Sequence, residues 1–307
     1  MTKLKILIAD EIDTAGLKQL PKNKFNAELR FGISNSEIIN KYSSYDILVI
    51  RSIRKIDRKF IEDTNFKVIA TCSKGTDHID TEFAGKKKII ILNADDSNNI
   101  SAAEHTLGLL IASEKKILLS DNLVRKGKFK FYDFERNELK DKKIGIIGFG
   151  KVGSYVGKLS EAFGMKVYAN DTDKNVRAKY KKTEFKSLNF LLRNCDIVTV
   201  HIPLSKKNYK FISKEKLNLL KEDTLFVNTS RGDVVDERHL IDLLRKKKIN
   251  FAALDVFNNE PFINKELTGL DNVILTNHIA GKTIQSRRKI SENIFFQIKN
   301  LKLSMQK

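Results

Sequence analysis

The segment KKIGIIGFGKVGSYVGKLSEAFG at 142–164 limits the fold more than any other stretch of the chain. An apolar run, IGII, passes directly into Gly148-x-Gly150-x-x-Gly153 and then into a helical pattern. The next apolar run, MKVYAND, ends in Asp171, about twenty residues on. A glycine triplet of this spacing is common by itself. With a strand before it, a helix after it and an acidic residue beyond, it selects a parallel βαβ unit that binds a dinucleotide. Gly148 is expected to make the tight turn and Gly150 to let a pyrophosphate approach the backbone, with Lys151 and Val152 completing the site. Gly153 is expected to let the helix pack closely on the sheet, while the helix N-terminus stabilises the anion. Asp171 is placed to bind the adenosine ribose, which favours NAD over NADP because a carboxylate repels a 2′-phosphate. Arg177, six residues beyond, points the other way.

The rest of the chain repeats this alternation. Strands are expected at 3–10, 26–31, 46–52, 67–72 and 89–94, with helical stretches between them. SAAEHTLGLLIASEKKILLS at 101–120 reads as one long helix, apolar around most of its circumference and so expected to be buried between domains or subunits. A Lys-rich link (125–141) follows, then strands near 143–148, 165–171, 196–202, 224–229, 250–256 and 272–277, and a last helix at 284–303. The fold class is α/β with two doubly wound parallel-sheet domains. A flavodoxin-like substrate domain would take 1–100 plus 284–307, and a Rossmann NAD-binding domain, 101–283, would be inserted into it. A chain of 307 residues is long enough for two such cores.

Charge bears on the partners. Lys and Arg number 57 against 38 Asp and Glu, a formal net charge of +19. Of those 57, 44 are Lys and 13 Arg, whereas base readout and bidentate phosphate contacts favour Arg. Runs such as Lys86-Lys87-Lys88 and Lys246-Lys247-Lys248 fall where helices should end, which suits the helix dipole. No nucleic-acid partner is therefore expected. No apolar run approaches a membrane span, and the four-residue apolar run in MTKLKILIAD is too short for a signal peptide. Cys72 and Cys195 form neither a CxxC pair nor a metal spacing, so a reducing, cytoplasmic setting without a metal is expected.

Ligands of open parallel sheets bind beyond the carboxyl ends of the strands. Three consecutive late strands end in suggestive residues. TLFVNTS runs into Arg231-Gly232, NFAALDVF carries Asp255 followed by Asn258-Asn259-Glu260-Pro261, and NVILTN delivers His278, then Ile279-Ala280-Gly281. Each has a bland reading as a surface ion pair or a structural histidine. Together, after a dinucleotide turn, they suit one reaction centre. The arginine grips a substrate carboxylate, the histidine exchanges a proton with the substrate oxygen, and the glutamate fixes the imidazole and raises its pKa. With a nicotinamide cofactor, the chemistry is hydride transfer at a 2-hydroxy or 2-keto acid. His201, which also ends a strand, reads as cofactor-side or structural.

These residues resemble the D-isomer-specific 2-hydroxyacid dehydrogenase family over essentially the whole chain. The matching stretches are GIIGFGKVG, VHIPL at 200–204, VNTSRGDVVDE at 227–237, ALDVFNNEP at 253–261 and HIAGKT at 278–283. The resemblance implies NAD in a cleft between two domains and a homodimer built on the long interdomain helices. It implies Arg231 as the group binding the substrate carboxylate and keto oxygen, Glu260 as support and His278 as proton donor. It places His201, Ile202, Pro203, Thr229, Ser230, Ala280 and Gly281 along the cofactor channel and Asp255 on the nicotinamide side. Within the family, LVIRSIRKID at 48–57 and SKGTDHID at 73–80 are most similar to phosphoglycerate dehydrogenases, which implies serine biosynthesis. Arg51, Ser52, Lys74, Gly75 and Thr76 would then bind a phosphorylated substrate, 3-phosphoglycerate or 3-phosphohydroxypyruvate. Arg54 stands close to them, and it or Lys74 has the bland alternative of pairing with Asp57 or Asp77.

The family's usual Pro-Gly is missing from LNADDSNNISAAEHT, and Asn277 stands where a proline usually precedes the histidine. GTDHID and HIAGKT are also reminiscent of erythronate-4-phosphate dehydrogenase. That substrate, with glyoxylate, hydroxypyruvate and D-lactate, stays open beside phosphoglycerate, as does a non-enzymatic NAD-sensing protein of the corepressor kind. The chain ends after its last helix, so the short form without a C-terminal regulatory domain is expected.

Overall fold

The structure, a computed structural model, describes residues 3–94, 97–130 and 134–301. Two compact units share the chain. One takes the described residues up to Asn98 together with those from Lys282 onward, and the other is Asn99–Gly281. Both are α/β units with wholly parallel sheets, the fold class expected from the alternation.

The first unit has β1 (Leu4–Ile8), β2 (Phe25–Leu29), β3 (Ile47–Ile50), β4 (Val68–Thr71) and β5 (Ile90–Asn93) in the order β2-β1-β3-β4-β5. The central strands β3 and β4 are buried at every position, and apolar except at Thr71, because both faces are covered. Leu7, Leu48, Ile50 and Ile69 pack with Ile38, Phe60 and Ile61 from the helices on one face. Ile6, Ile8, Ile47, Val49 and Val68 pack on the other against Ile290, Ile294, Phe295 and Ile298 of the last helix, Ile284–Lys299. That helix returns the chain to the first unit after the whole second unit has been built.

The second unit has seven strands: β6 (Lys143–Ile147), β7 (Lys166–Asn170), β8 (Glu184–Phe185), β9 (Ile197–Val200), β10 (Leu225–Asn228), β11 (Phe251–Leu254) and β12 (Val273–Leu275). Their order is β12-β11-β10-β9-β6-β7-β8. The chain runs outward from β6 through β7 to β8 and then crosses back to β9, so the topological switch point lies between β6 and β9. Ligands of doubly wound sheets bind at that point, beyond the carboxyl ends. Two apolar layers sandwich the sheet, one holding Ile147, Val198, Val200, Phe226 and Leu254 with Leu240 and Leu244, the other Ile144, Ile146, Ile197 and Val227 with Ala103, Leu107, Leu110 and Val156.

The expected helix over 101–120 is two helices. Asn99–Glu114 has buried Leu107, Leu109 and Leu110 along it, and it packs on the helix Lys151–Ala162 and on β10 and β11. The chain then turns at Lys116, whose φ of +54° is left-handed and cannot continue a right-handed helix. The break lays the Lys116 ammonium over the Phe251 ring, 4.3 Å from its centroid, and burial pulls that ammonium's pKa down. The second helix, Ile117–Arg125, has no buried residue within the single chain. Both Lys runs do end helices, with Lys88 and Lys247 taking left-handed turns just past the last helical residues. Asp95 and Asp96, in the stretch that lacks the Pro-Gly, and 131–133 of the link lie outside the described residues. No helix among the described residues is long and apolar enough to cross a membrane.

Candidate active site

The glycine turn begins where β6 ends. Gly148 has φ +87°, a conformation that side chains resist. A Cβ there would lie 2.7 Å from the His201 carbonyl oxygen and 2.9 Å from the Ile202 side chain. The turn is thus pressed against the residues that follow β9, on the other side of the switch point. A Cβ on Gly153 would overlap the Gly148 carbonyl oxygen, which shows why the helix can start so close to the strand. Gly150 is the N-cap of the helix Lys151–Ala162, brings no side-chain cap, and has nothing within 4 Å of its Cβ direction. Uncapped N–H groups at a helix start, behind an open approach, are a donor set that fits a pyrophosphate.

Asp171 lies just past β7 beside this turn. Its Oδ2 accepts from the Phe149 N–H at 2.7 Å and its Oδ1 from the Asp173 N–H at 2.9 Å. Arg177 donates its Nε–H to the Asp171 carbonyl oxygen at 2.7 Å, so the cation that argued against NAD stands next to the carboxylate that argued for it. His201 bonds Thr199 Oγ1 at 2.9 Å, and desolvation pushes its imidazole down to about 3. A ring held neutral in this way is unsuited to donate a proton at neutral pH.

At the end of β10, Asn228 is 1% exposed and organises the next turn. Its Oδ1 accepts from the Ser230 N–H and hydroxyl at 3.0 and 2.8 Å, and its Nδ2 donates to the Arg231 carbonyl oxygen at 2.9 Å. The Thr229 hydroxyl bonds that of Thr106 at 2.8 Å, tying the turn to the helix Asn99–Glu114. Arg231 donates from Nη1 to the Ser230 carbonyl oxygen at 2.8 Å.

The loops after β11 and β12 carry the acid–base pair. His278 Nδ1 lies 2.7 Å from Glu260 Oε2, and Glu260 Oε1 accepts from the Phe257 N–H at 3.0 Å. Burial pushes the Glu260 carboxyl up, but the His278 bond and charge, the Phe257 N–H and the Arg231 charge outweigh it, so its pKa is lowered. The Arg231 charge acting on Glu260 brings the three expected residues into one electrostatic unit. With Nδ1 turned to Glu260, Nε2 is the ring nitrogen left to exchange a proton with a ligand. His278 has φ +53°, an unusual backbone conformation for a non-glycine residue. Its surroundings impose it: the His278 N–H donates to the Asp255 carbonyl oxygen at 2.8 Å, and the Asp255 carboxylate takes the next two N–H groups, Ile279 at 2.9 Å and Ala280 at 2.8 Å.

Asp255 also has a structural part. It is fully buried, and its carboxylate holds the loop of His278, with Thr276 Oγ1 at 2.6 Å and His105 Nε2 at 3.5 Å completing its shell. Burial pushes this carboxyl up, and the bonds from His105, Thr276, Ile279 and Ala280 bring it below its usual range. Asn228, Thr276, His105 and Thr106 carried no separate sequence signal. Asn228 bonds within its own turn, while His105 and Thr106 find partners 171 and 123 positions away, in contacts that only the fold creates.

In the first unit, Arg51 and Ser52 follow β3 while Lys74, Gly75 and Thr76 follow the neighbouring β4, so both groups stand at carboxyl strand ends. The Arg51 N–H is held by Asp10 Oδ2 at 2.8 Å. Ser73 Oγ donates to the Gly75 carbonyl oxygen and Asn93 Nδ2 to that of Lys74. Arg54 is a structural clamp, paired with Asp10 rather than Asp57. Its side chain is 9% exposed, it meets Asp10 at 2.7 Å, and it donates to Asn35 and to the Ala9 and Ile33 carbonyl oxygens.

A glycine turn at a switch point, with an Arg and a Glu–His pair after the last three strands, defines a nicotinamide-dinucleotide-binding protein of the 2-hydroxyacid class. Residues 107–280 match the family "D-isomer specific 2-hydroxyacid dehydrogenase, NAD binding domain". The D-3-phosphoglycerate dehydrogenase of Archaeoglobus fulgidus is 34% identical over 301 residues, 97% of this chain and 57% of that protein. The glyoxylate reductase of Pyrococcus furiosus is 32% identical over 302 residues, 94% of this chain and 90% of that protein. Among solved structures, an acyclic imino acid reductase in complex with NADPH and D-Arg superposes with a TM-score of 0.86 at 28% identity, covering 96% of both chains. The chain belongs to the D-isomer specific 2-hydroxyacid dehydrogenase family. It spans just over half the length of the phosphoglycerate dehydrogenase relative.

Proposed function

We propose that the protein is an NAD-dependent oxidoreductase that interconverts a D-2-hydroxy acid and its 2-keto acid. The hydrogen-bonded Glu260–His278 pair carries this reading, because it orients one imidazole nitrogen as a proton exchanger and leaves the other on a carboxylate. The glycine turn, Asp171 at the ribose and the 201–203, 229–231 and 280–281 segments would hold the cofactor, whose nicotinamide would supply or accept the hydride. In the reducing direction His278 gives its Nε2 proton to the substrate oxygen. Arg231 holds the substrate carboxylate with two parallel hydrogen bonds, and Glu260 stabilises the imidazolium before transfer. NAD is favoured over NADP by the Asp171 carboxylate, against the nearby Arg177.

The substrate we favour is 3-phosphoglycerate with 3-phosphohydroxypyruvate, in a serine-forming reaction. Supporting it are the cations of Arg51 and Lys74 at neighbouring strand ends and the phosphoglycerate dehydrogenase relatives. A second reading, reduction of glyoxylate or hydroxypyruvate, is favoured by the Pyrococcus furiosus glyoxylate reductase, which this chain matches over 90% of its length. The two separate in the kcat/KM ratio of 3-phosphohydroxypyruvate to hydroxypyruvate. A ratio well above one in the wild type, falling about tenfold to a hundredfold in Arg51→Ala, supports phosphate recognition. Equal losses on both substrates remove it. A homodimer is the assembly we favour, since Leu118 and Val124 of the second helix are each 55% exposed in the single chain. Sedimentation showing a monomer at micromolar concentration would count against it.

A further inference from the structure

We infer that Glu237 is a positioning residue for the Glu260–His278 pair, acting through the peptide that joins Phe257 to Asn258; this rests on the acid–base reading above. Glu237 opens the helix Glu237–Arg245, just after the Arg231 turn, and is 8% exposed. Its Oε2 accepts from the Asn258 N–H at 2.9 Å. One residue earlier, the Phe257 N–H is taken by Glu260 Oε1 at 3.0 Å. Two consecutive N–H groups are thus divided between two carboxylates. One belongs to the loop itself and aims at His278, and the other reaches in from a different helix.

A second observation puts the same peptide under the same grip. A Cβ on Gly232, the residue after Arg231, would overlap the Phe257 carbonyl group and lie 2.6 Å from the Asn258 nitrogen. The Phe257–Asn258 peptide is therefore pressed on the Arg231 turn while Glu237 fixes the direction of its N–H. Between this peptide and Glu260 stands Asn259, with φ +61°, a conformation that a non-glycine residue keeps only when its surroundings hold it. The Asn258 side chain does not supply that hold, because its Oδ1 is buried with no hydrogen-bond partner among the described residues. Glu237 does so at an electrostatic cost. Burial pushes its carboxyl up, the charges of Asp233 and Glu260 add to the shift, and the Asn258 N–H opposes it.

If an oxygen acceptor at this place is what matters, glutamine serves and alanine does not. The first readout needs no substrate: the proton resonance of the His278 Nδ1–H, assigned by its loss in His278→Gln. Glu237→Ala is expected to shift or abolish that resonance and to lower kcat about tenfold to a hundredfold, with the KM for the keto acid and NADH affinity within about threefold. Glu237→Gln is expected to restore both signals to within about twofold. On a Glu260→Gln background the alanine change should cost less than about threefold, since the group it positions is already altered. Glu237→Asp, which withdraws the oxygen by one methylene, is expected to behave like alanine and replaces it if the alanine variant does not fold. An unchanged resonance and kcat in both Glu237→Ala and Glu237→Asp overturns the inference. So does an equal loss in Glu237→Gln, or a full loss on the Glu260→Gln background. If the wild type reduces no 2-keto acid, the dehydrogenase reading fails while the resonance still decides the positioning.

Discussion

Replacing Glu260 by glutamine removes a charge 2.7 Å from His278 Nδ1 while keeping the side chain's shape. The amide oxygen can accept from the Phe257 N–H or from His278, but the carboxylate serves both at once. The size of the effect follows from the pair's exposure, 33% of each side chain. Two unit charges about 4 Å apart interact by roughly 4 kcal/mol near a protein surface and about 1 kcal/mol in water. A pair this exposed falls toward the lower figure, about 1–2 kcal/mol. At about 1.4 kcal/mol per decade, that is roughly a tenfold change in rate. The sign is determined by the chemistry: reduction needs a proton on the imidazole, and the Glu260 charge stabilises the cationic ring. Glu260→Gln should therefore lower kcat/KM for keto-acid reduction about tenfold. The assay is NADH oxidation followed by absorbance, wild type beside variant. An unchanged kcat/KM would show that the Glu260 charge has no part in the step.

Removing the proton donor is a harsher change: His278→Gln should lose about 10²–10⁴-fold in turnover and still bind NADH, measured by nicotinamide fluorescence. Unaltered turnover would move the proton exchange elsewhere. Asp171→Ala should narrow the kcat/KM preference for NADH over NADPH and, by freeing the Phe149 N–H, weaken both cofactors; a wild type equally efficient with both refutes the ribose assignment. Arg54→Met leaves Asp10 buried with its charge uncompensated and should cost about 3–5 kcal/mol, read as a lower urea midpoint. An unchanged midpoint would contradict the clamp.

Much of this was legible in the order of residues. The glycine turn was readable because close approach leaves few alternatives at Gly148 and Gly153, and the two sheets were readable because strands covered on both faces are near-continuous apolar runs. Arg231, Glu260 and His278 stood out because they follow consecutive strands. What stayed hidden was set by tertiary contacts. The helix break at Lys116 shows only in the ring that its ammonium covers, and β8 is two residues long, too short to leave a pattern. Arg54 finds Asp10, 44 positions away, instead of the nearby Asp57, and Asp255 spends its carboxylate on the loop of His278. A charge pattern names candidates for a site, but partner choice depends on which strand ends the sheet makes neighbours.

The most direct test of the account is the fate of NADH mixed with wild-type protein and a panel of 2-keto acids: 3-phosphohydroxypyruvate, hydroxypyruvate, glyoxylate and pyruvate. At least one should be reduced with one NADH consumed per hydroxy acid formed, a chiral product should have the D configuration, and His278→Gln should slow the consumption about 10²–10⁴-fold. Tight NADH binding with no consumption on any member of the panel would contradict it and would leave a protein that senses the cofactor without turning it over.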